Sequence, residues 1–326
     1  MVTTKDLAKI CRVSRGTVDR ALNGRPGINT ATRERVLETA RKYGYRADLL
    51  ARSLVKGRTM TLGVVVFDLR NQFFAQLLSA IEAKARSEGY FSYLTLTGKD
   101  PGAERECLEH LAGRKVDGII LCSVNSGEAY VRYLKELGIP VTTVTNFLSA
   151  DFPFIGIDER QALRDAVHHI AGRGYTRLVY LSPPLAYEGK SNIYAQRQRF
   201  LGCLEAAAEA GLEEPVVVKD KNFAPALDAL NLKEEKTVIL CSSDIYALEA
   251  VNYCRERKLE VPVDLGIMGF DNIDALKYIR PSISTVAYPV DEIGGKAVEC
   301  VLAQIRGGKP AAFSLLGHSI KAGESL

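Results

Sequence analysis

The chain has 326 residues, is 47% hydrophobic and 25% charged, and carries a formal net charge of +4, which fits an ordinary soluble chain long enough for two or three domains. No apolar run approaches the roughly 18–20 residues of a membrane helix. The opening MVTTKDLAKICRVS lacks the apolar core of an export signal, and the seven cysteines are scattered without a C-x-x-C pair, so a cytoplasmic protein with reduced thiols is expected. The charge is unevenly spread. Residues 1–58 hold 14 Lys+Arg against 5 Asp+Glu, a balance of +9, and the remainder carries −5. A basic head on a mildly acidic body points to a polyanion met by the head alone.

In the head, Thr3 or Thr4 can cap a short first helix with Leu7, Ala8 and Ile10 turned inward. A turn at Cys11 to Val13 leads into VSRGTVDRALN. Advanced by ~100° per residue, this stretch gathers Ser14, Val18, Ala21 and Leu22 on one arc, with Thr17 at its edge. Arg15, Gly16, Asp19 and Arg20 occupy the other. Ser14 suits an N-cap, the first arc suits packing on another helix, and the second can reach into a DNA groove. Asp19, four residues from Arg15, is placed to orient that guanidinium or to accept from a cytosine amino group. The loop NGRPGI then breaks the chain, and Asn29 caps a third helix whose apolar positions Val36, Leu37, Ala40 and Tyr43 follow i, i+1, i+4, i+7, with Gly44 as its stop. Two short helices and a tight turn buttressed by a third make a helix-turn-helix layout. The next stretch, RADLLARSLVKGRT, is apolar and basic, with Asp48 as a possible cap; it is too short to hold a helix alone and reads as a linker.

From Thr61 onward, short apolar runs alternate with amphipathic stretches. The runs are LGVVVF, FSYLTL, GIILCS, VTTVT, LVYLS, VVVKD, VILCSS, LGIMGF and ISTVAY. Such alternation predicts parallel sheets covered on both faces, in two groups. Ligands of open α/β sheets sit outside the carboxyl ends of strands.

TKDLAKICRVSRGTVDRALNG, TRERVLETARKYGYRADLLARSLVKGRT, TLGVVVFDLRNQFFAQLLSAIEAKARSEGY, DGIIL, SSDIYALEAV and VPVDLGIMGFDNI occur in this order, and together they resemble the lactose/galactose-repressor (LacI/GalR) family over essentially the whole chain. The resemblance implies a helix-turn-helix domain over 1–46, a hinge helix over 47–58, and a two-lobed periplasmic-binding-protein-like core of parallel sheets over 59–326. Its N-lobe would take 59–157 and 288–313, and its C-lobe 158–287 and 314–326, with crossings near Ile157, Ala287 and Phe313. It also implies that Arg15, Gly16 and Arg20 read bases and that Leu54 wedges into the central base step, flanked by Arg52 and Lys56 on phosphates. The DNA-facing set is completed by Thr4, Ser14, Thr17, Asp19 and Asn23. This sequence departs from the family at Gly16, which has no side chain to read with, at Asp19, where a small hydroxyl residue is common, and at Ala47-Asp48, where Pro-Asn is usual.

For the cleft, the strand-end rule and the resemblance select Asn71, Phe73, Phe74, Arg199 and Asp271, with Ser123, Asp158, Phe223 and Ser243 in second rank. Arg199 keeps the family's spacing to Gly202, which Arg197 does not; Gln72 replaces a usual proline and Tyr288 a common glutamine. Phe73 and Phe74 can also serve as packing at a helix start, and Asp271 as a cap. An arginine, a carboxylate and aromatic rings suit a polyol, and a nucleobase too.

Catalysis finds no foothold. His168 and His169 are adjacent rather than four apart, GKS at Gly189 follows Pro184 where a phosphate loop needs glycine, and Arg177 spoils the G-x-G begun at Gly172. Neither a cofactor nor a metal is expected. The predicted function is a cytoplasmic repressor that binds a near-palindromic operator as a homodimer, no heptad-rich tail following the last strand. A sugar or sugar derivative in the cleft would act as inducer or corepressor. Competing readings are a response to a nucleobase or a protein corepressor, a sugar-binding protein of transport, and an α/β enzyme.

Overall fold

The computed structural model describes residues 2–45, 57–233 and 235–326, which fall into two compact units, Met1–Thr59 and Met60–Leu326. Arg52, Leu54 and Lys56, and with them the expected hinge helix, lie outside the described residues.

The first unit is built from α1 (Thr4–Ile10), α2 (Arg15–Leu22) and α3 (Thr30–Lys42). Each begins on a side chain that accepts from the orphan amides of its first turn: Thr3 from Asp6, Ser14 from Thr17 and Asn29 from Thr32. At α1 the bond is reciprocal, because the Thr3 amide donates to the Asp6 carboxylate at 2.9 Å. Leu7, Ala8, Cys11, Val18, Ala21, Val36 and Ala40 form the core of the unit. Ile10, expected inward, is instead exposed. It lies ~200° around the helix from Ala8, off the stripe that Leu7, Ala8 and Cys11 present.

The second unit holds two six-stranded sheets. The first contains β1 (Thr61–Val66), β2 (Phe91–Leu96), β3 (Gly118–Leu121), β4 (Val141–Val144), β5 (Phe154–Ile157) and β11 (Phe313–Leu316), in the order β11-β5-β4-β3-β1-β2 and parallel throughout. The second contains β6 (Arg177–Leu181), β7 (Val216–Val218), β8 (Thr237–Cys241), β9 (Gly266–Asp271), β10 (Ser284–Ala287) and β12 (Ser319–Lys321), in the order β12-β10-β9-β8-β6-β7. Here β12 runs antiparallel to β10, so this sheet is mixed at its edge rather than wholly parallel. The interior strands bury both faces. Leu62, Val64 and Ile120 pack into the large core cluster, while Val65, Ile119 and Leu121 face Leu108, Leu111, Tyr130 and Leu134 on the other side.

Among the helices, α4 (Gln72–Ser87) packs along α11 (Val290–Ile305), and α7 (Glu159–Gly172) along α8 (Tyr194–Glu209). The other α-helices among the described residues are α5 (Pro101–Gly113), α6 (Glu128–Glu136), α9 (Ala224–Asp228) and α10 (Asp244–Glu256). The α7–α8 approach depends on Gly202, where an added Cβ would lie 2.2 Å from the Arg160 carbonyl oxygen. Only glycine lets α8, the helix that carries Arg199, lie that close. The chain passes between sheets after Ile157 and after Ala287. Its third passage comes after Leu316, because β11 still belongs to the first sheet, and so lies beyond Phe313.

Candidate functional site

The carboxyl ends of both sheets converge on a cavity of about 360 Å³. Asn71, Phe73, Phe74, Arg199, Ser243 and Asp271 line it, and so does Tyr288. Ser123, Asp158 and Phe223 do not. Ser123 is fully buried and donates to Glu104 at 3.0 Å. The same carboxylate accepts from the Val124 amide at 2.6 Å, from the Asn125 side chain at 3.0 Å and from the Tyr130 hydroxyl, so Ser123 helps shape the loop after β3 from behind. Asp158 caps α7 by accepting from the Gln161 amide at 2.9 Å. Phe223 is buried edge-on against Tyr253, with ring centroids 6.5 Å apart.

The residue beside Asp158 does not line the cavity either, but turns inward beneath Arg199. Glu159 is 3% exposed and accepts from Arg199 Nε at 2.8 Å. Arg199, 4% exposed, also donates from Nη1 to the Ser242 carbonyl at 2.5 Å and from Nη2 to the Tyr288 hydroxyl, which in turn donates to Glu159. Its guanidinium carbon stacks 3.7 Å from the centre of the Phe270 ring, and Nη2 lies 3.7 Å from Asp271 Oδ1. The arginine at the cleft floor is therefore largely satisfied by its own protein. Burial pushes the Asp271 carboxyl well above the ordinary carboxylate range, against the pull of Arg199.

The backbone at the end of β9 is bent to present Asp271, with φ of +117° there and +56° at Asn272, both in territory that non-glycine residues rarely occupy. Asp244 holds that bend by accepting from the Ile273 amide at 2.9 Å and from the Thr285 hydroxyl at 2.7 Å; its burial lifts its pKa to about 6. A Cβ at residue 269 would sit 2.0 Å from Asp244 Oδ1, so Gly269 is needed for the carboxylate to fit beneath β9.

Hydrogen bonds cross the cavity from lobe to lobe. Asn71 Nδ2 donates to Asp271 at 3.3 Å, and the Ala275 amide to Gln72 Oε1 at 2.8 Å, which gives the departure at Gln72 a role. The Asn192 amide donates to the Val124 carbonyl at 2.7 Å, and Asn146 bonds both the Asn192 carbonyl and the Ala195 amide. Asn146 and Asn192 were missed in the sequence, although Asn146 follows VTTVT at a strand end where the same rule points. Arg70, Lys99 and Lys221 stand at the lining with Asp68 and Glu249.

In the first unit, Arg15, Gly16 and Arg20 are exposed along α2, and Ser14 and Thr17 bond each other at 2.9 Å. Thr4 opens α1 and is half-buried. Asp19 does not turn to Arg15. Its carboxylate accepts from Asn23 Nδ2 at 2.8 Å and from Arg25 Nη1 at 3.0 Å. Asn23 is thereby drawn into the helix C-cap.

Residues 3–48 match the family profile described as bacterial regulatory proteins, lacI family, and residues 167–326 that of a periplasmic binding protein-like domain. Catabolite control protein A of Priestia megaterium is 33% identical over 305 residues, covering 91% of this chain and 90% of that protein. The chain belongs to the lacI family. The HTH-type transcriptional repressor CytR of Escherichia coli is 28% identical over 314 residues, covering 94% of this chain and 90% of that protein. The lac repressor dimer bound to operator and the anti-inducer ONPF shares the fold with a TM-score of 0.86 at 20% identity, over 99% of this chain and 98% of that one. A complex of the regulator CelR with cellobiose gives 0.71 at 22% identity, over all of both chains. As a lacI-family member the chain is a DNA-binding transcriptional regulator, not an enzyme. Among its described residues no helix is long and apolar enough to cross a membrane.

Proposed function

We propose that this lacI-family regulator is a cytoplasmic repressor that binds a near-palindromic operator as a homodimer, and that a sugar or sugar derivative in the cleft sets its affinity for DNA. The observation that carries the reading is the cavity between two sets of strand ends, bridged by Asn71–Asp271 and by Asn146–Asn192. A ligand whose hydroxyls bond Asp271 and Asn71 while its apolar face lies on Phe73 or Phe74 would hold the lobes together. Related proteins captured with operator and ONPF, or with cellobiose, support the same chemistry. Arg15 and Arg20 are the proposed base readers, with Leu54 as the wedge of the hinge. Large exposed apolar side chains, Phe91 at 69% and Tyr278 at 88%, suit burial against a second copy.

Selection of duplexes from a random-sequence pool by the purified chain tests the DNA half. The expected product is a near-palindrome bound by two chains, with affinity falling steeply with salt. An unselected pool, or one chain per duplex, would refute it. A melting screen of sugars, sugar phosphates and nucleobases tests the other half, since a ligand present at ~100 times its Kd stabilises by about 2.7 kcal/mol. Stabilisation by a nucleobase alone would replace the sugar.

A further inference from the structure

Asp19 is the residue of α2 that the DNA-binding function leaves unexplained: a carboxylate on the arc that carries Arg15 and Arg20, where it would face a polyanion. Its partners give the explanation. Asn23 donates from Nδ2 to both the Asp19 carboxylate, at 2.8 Å, and the Asp19 carbonyl, at 2.9 Å. Arg25 donates to the other carboxylate oxygen at 3.0 Å. The Arg25 backbone is fixed on both sides, its amide donating to the Arg20 carbonyl at 2.9 Å and its carbonyl accepting from Arg33 Nη2 at 2.8 Å. Asp19 thus holds one corner of the guanidinium, and among the described residues the rest of the fork has no partner.

Folding stability does not account for this arrangement. Both side chains are at least half exposed, and exposed pairs contribute little. Its use is electrostatic and positional. A recognition helix puts its N-terminal residues against base edges, so the turn after its C-terminus runs beside the sugar-phosphate backbone. Arg25 sits in that turn, and its planar fork matches a phosphate.

We propose that Asp19 and Asn23 position Arg25 as a phosphate clamp at the end of α2, and that Asp19 reads no base. Arg25 neutralises the carboxylate toward DNA, and the carboxylate pre-orients Arg25. The proposal rests on α2 lying in the major groove.

The test uses the full chain, a duplex selected from a random pool by the wild type, and fluorescence anisotropy over a range of salt. Arg25→Gln is expected to weaken binding about tenfold, to make the log–log salt slope shallower by about 1, and to leave base preferences unchanged. Asp19→Asn alone should weaken binding about threefold, because Arg25 loses the carboxylate that orients it. In the Arg25→Gln background it should restore several-fold, because it removes a carboxylate that has lost its cation. An unchanged slope in Arg25→Gln, equal effects of Asp19→Asn in both backgrounds, or an altered base preference in Asp19→Asn would each overturn the proposal. Arg20→Ala is the separate control of the groove assignment: if it relaxes no position of the half-site, that reading has failed whatever Arg25 does.

Discussion

Replacing Arg199 by alanine is expected to destabilise the second unit by about 3–5 kcal/mol, the range for breaking one side of a buried ion pair. Glu159 would be left 3% exposed with, among the described residues, the Tyr288 hydroxyl as its one remaining side-chain partner, and Asp271 would lose its nearest cation. Both partners of the pair are more than nine-tenths buried, so solvent screening does not soften the loss. Removing both charges tells the pair apart from the packing: Arg199→Met with Glu159→Gln should recover much of the stability, because Glu159 is no longer an orphaned charge, while Asp271 still loses its nearest cation. Urea denaturation of the two variants beside the wild type measures this. A cost below about 1 kcal/mol for Arg199→Ala would show that water reaches the pair.

Glu104→Ala is expected to be about as costly, roughly 3–5 kcal/mol, since several buried or half-buried donors lose one acceptor together at about 1–3 kcal/mol each and their losses overlap. The donors are the Ser123 hydroxyl, the Val124 amide, the Asn125 side chain and the Tyr130 hydroxyl. Glu104→Gln keeps one accepting oxygen and should cost distinctly less. The effect reaches the cleft, because the loop that Glu104 braces offers the Val124 carbonyl to Asn192 in the opposite lobe. Ligand affinity should therefore fall along with stability. Equal costs for the two variants, or none for either, would contradict the role assigned to the carboxylate.

The head was legible because its signals are local. Ser14 and Asn29 cap the helices they were expected to cap, and Val18, Ala21, Val36 and Ala40 form the core their spacing predicts. Ile10 went wrong on a short helix, where one position decides whether a side chain is covered. In the second unit the apolar runs announced most strands, the three residues of β7 included, whereas the sheet-edge strands β11 and β12 alternate half-buried with exposed positions and β5 is a short FIGI interrupted by glycine. Within the cleft, the strand-end rule located Asn71 and Asp271 but failed at Asp158, which caps α7 while its neighbour Glu159 pairs with Arg199. Nothing in the sequence distinguishes two adjacent acids when the helix start exposes one and buries the other. Ser123 points the same way: strand-end position is shared by residues that line a cavity and residues that brace the lining. Asp19 was read against its helical neighbour Arg15, but the loop that follows supplied a nearer partner in Arg25, which helical spacing does not reveal.

A regulator of this kind works only if ligand binding in the cleft is coupled to DNA binding. The most direct measurement is the affinity of the full chain for its selected duplex with and without a saturating concentration of the compound that raises its melting temperature in the screen. A coupling of about 1–3 kcal/mol, a roughly 5–150-fold change in affinity, is predicted, with the duplex changing ligand affinity by the same factor. Asp271→Asn should bind the duplex as the wild type does and lose the response to the compound. Unchanged duplex affinity in the presence of a compound that binds the cleft would contradict it.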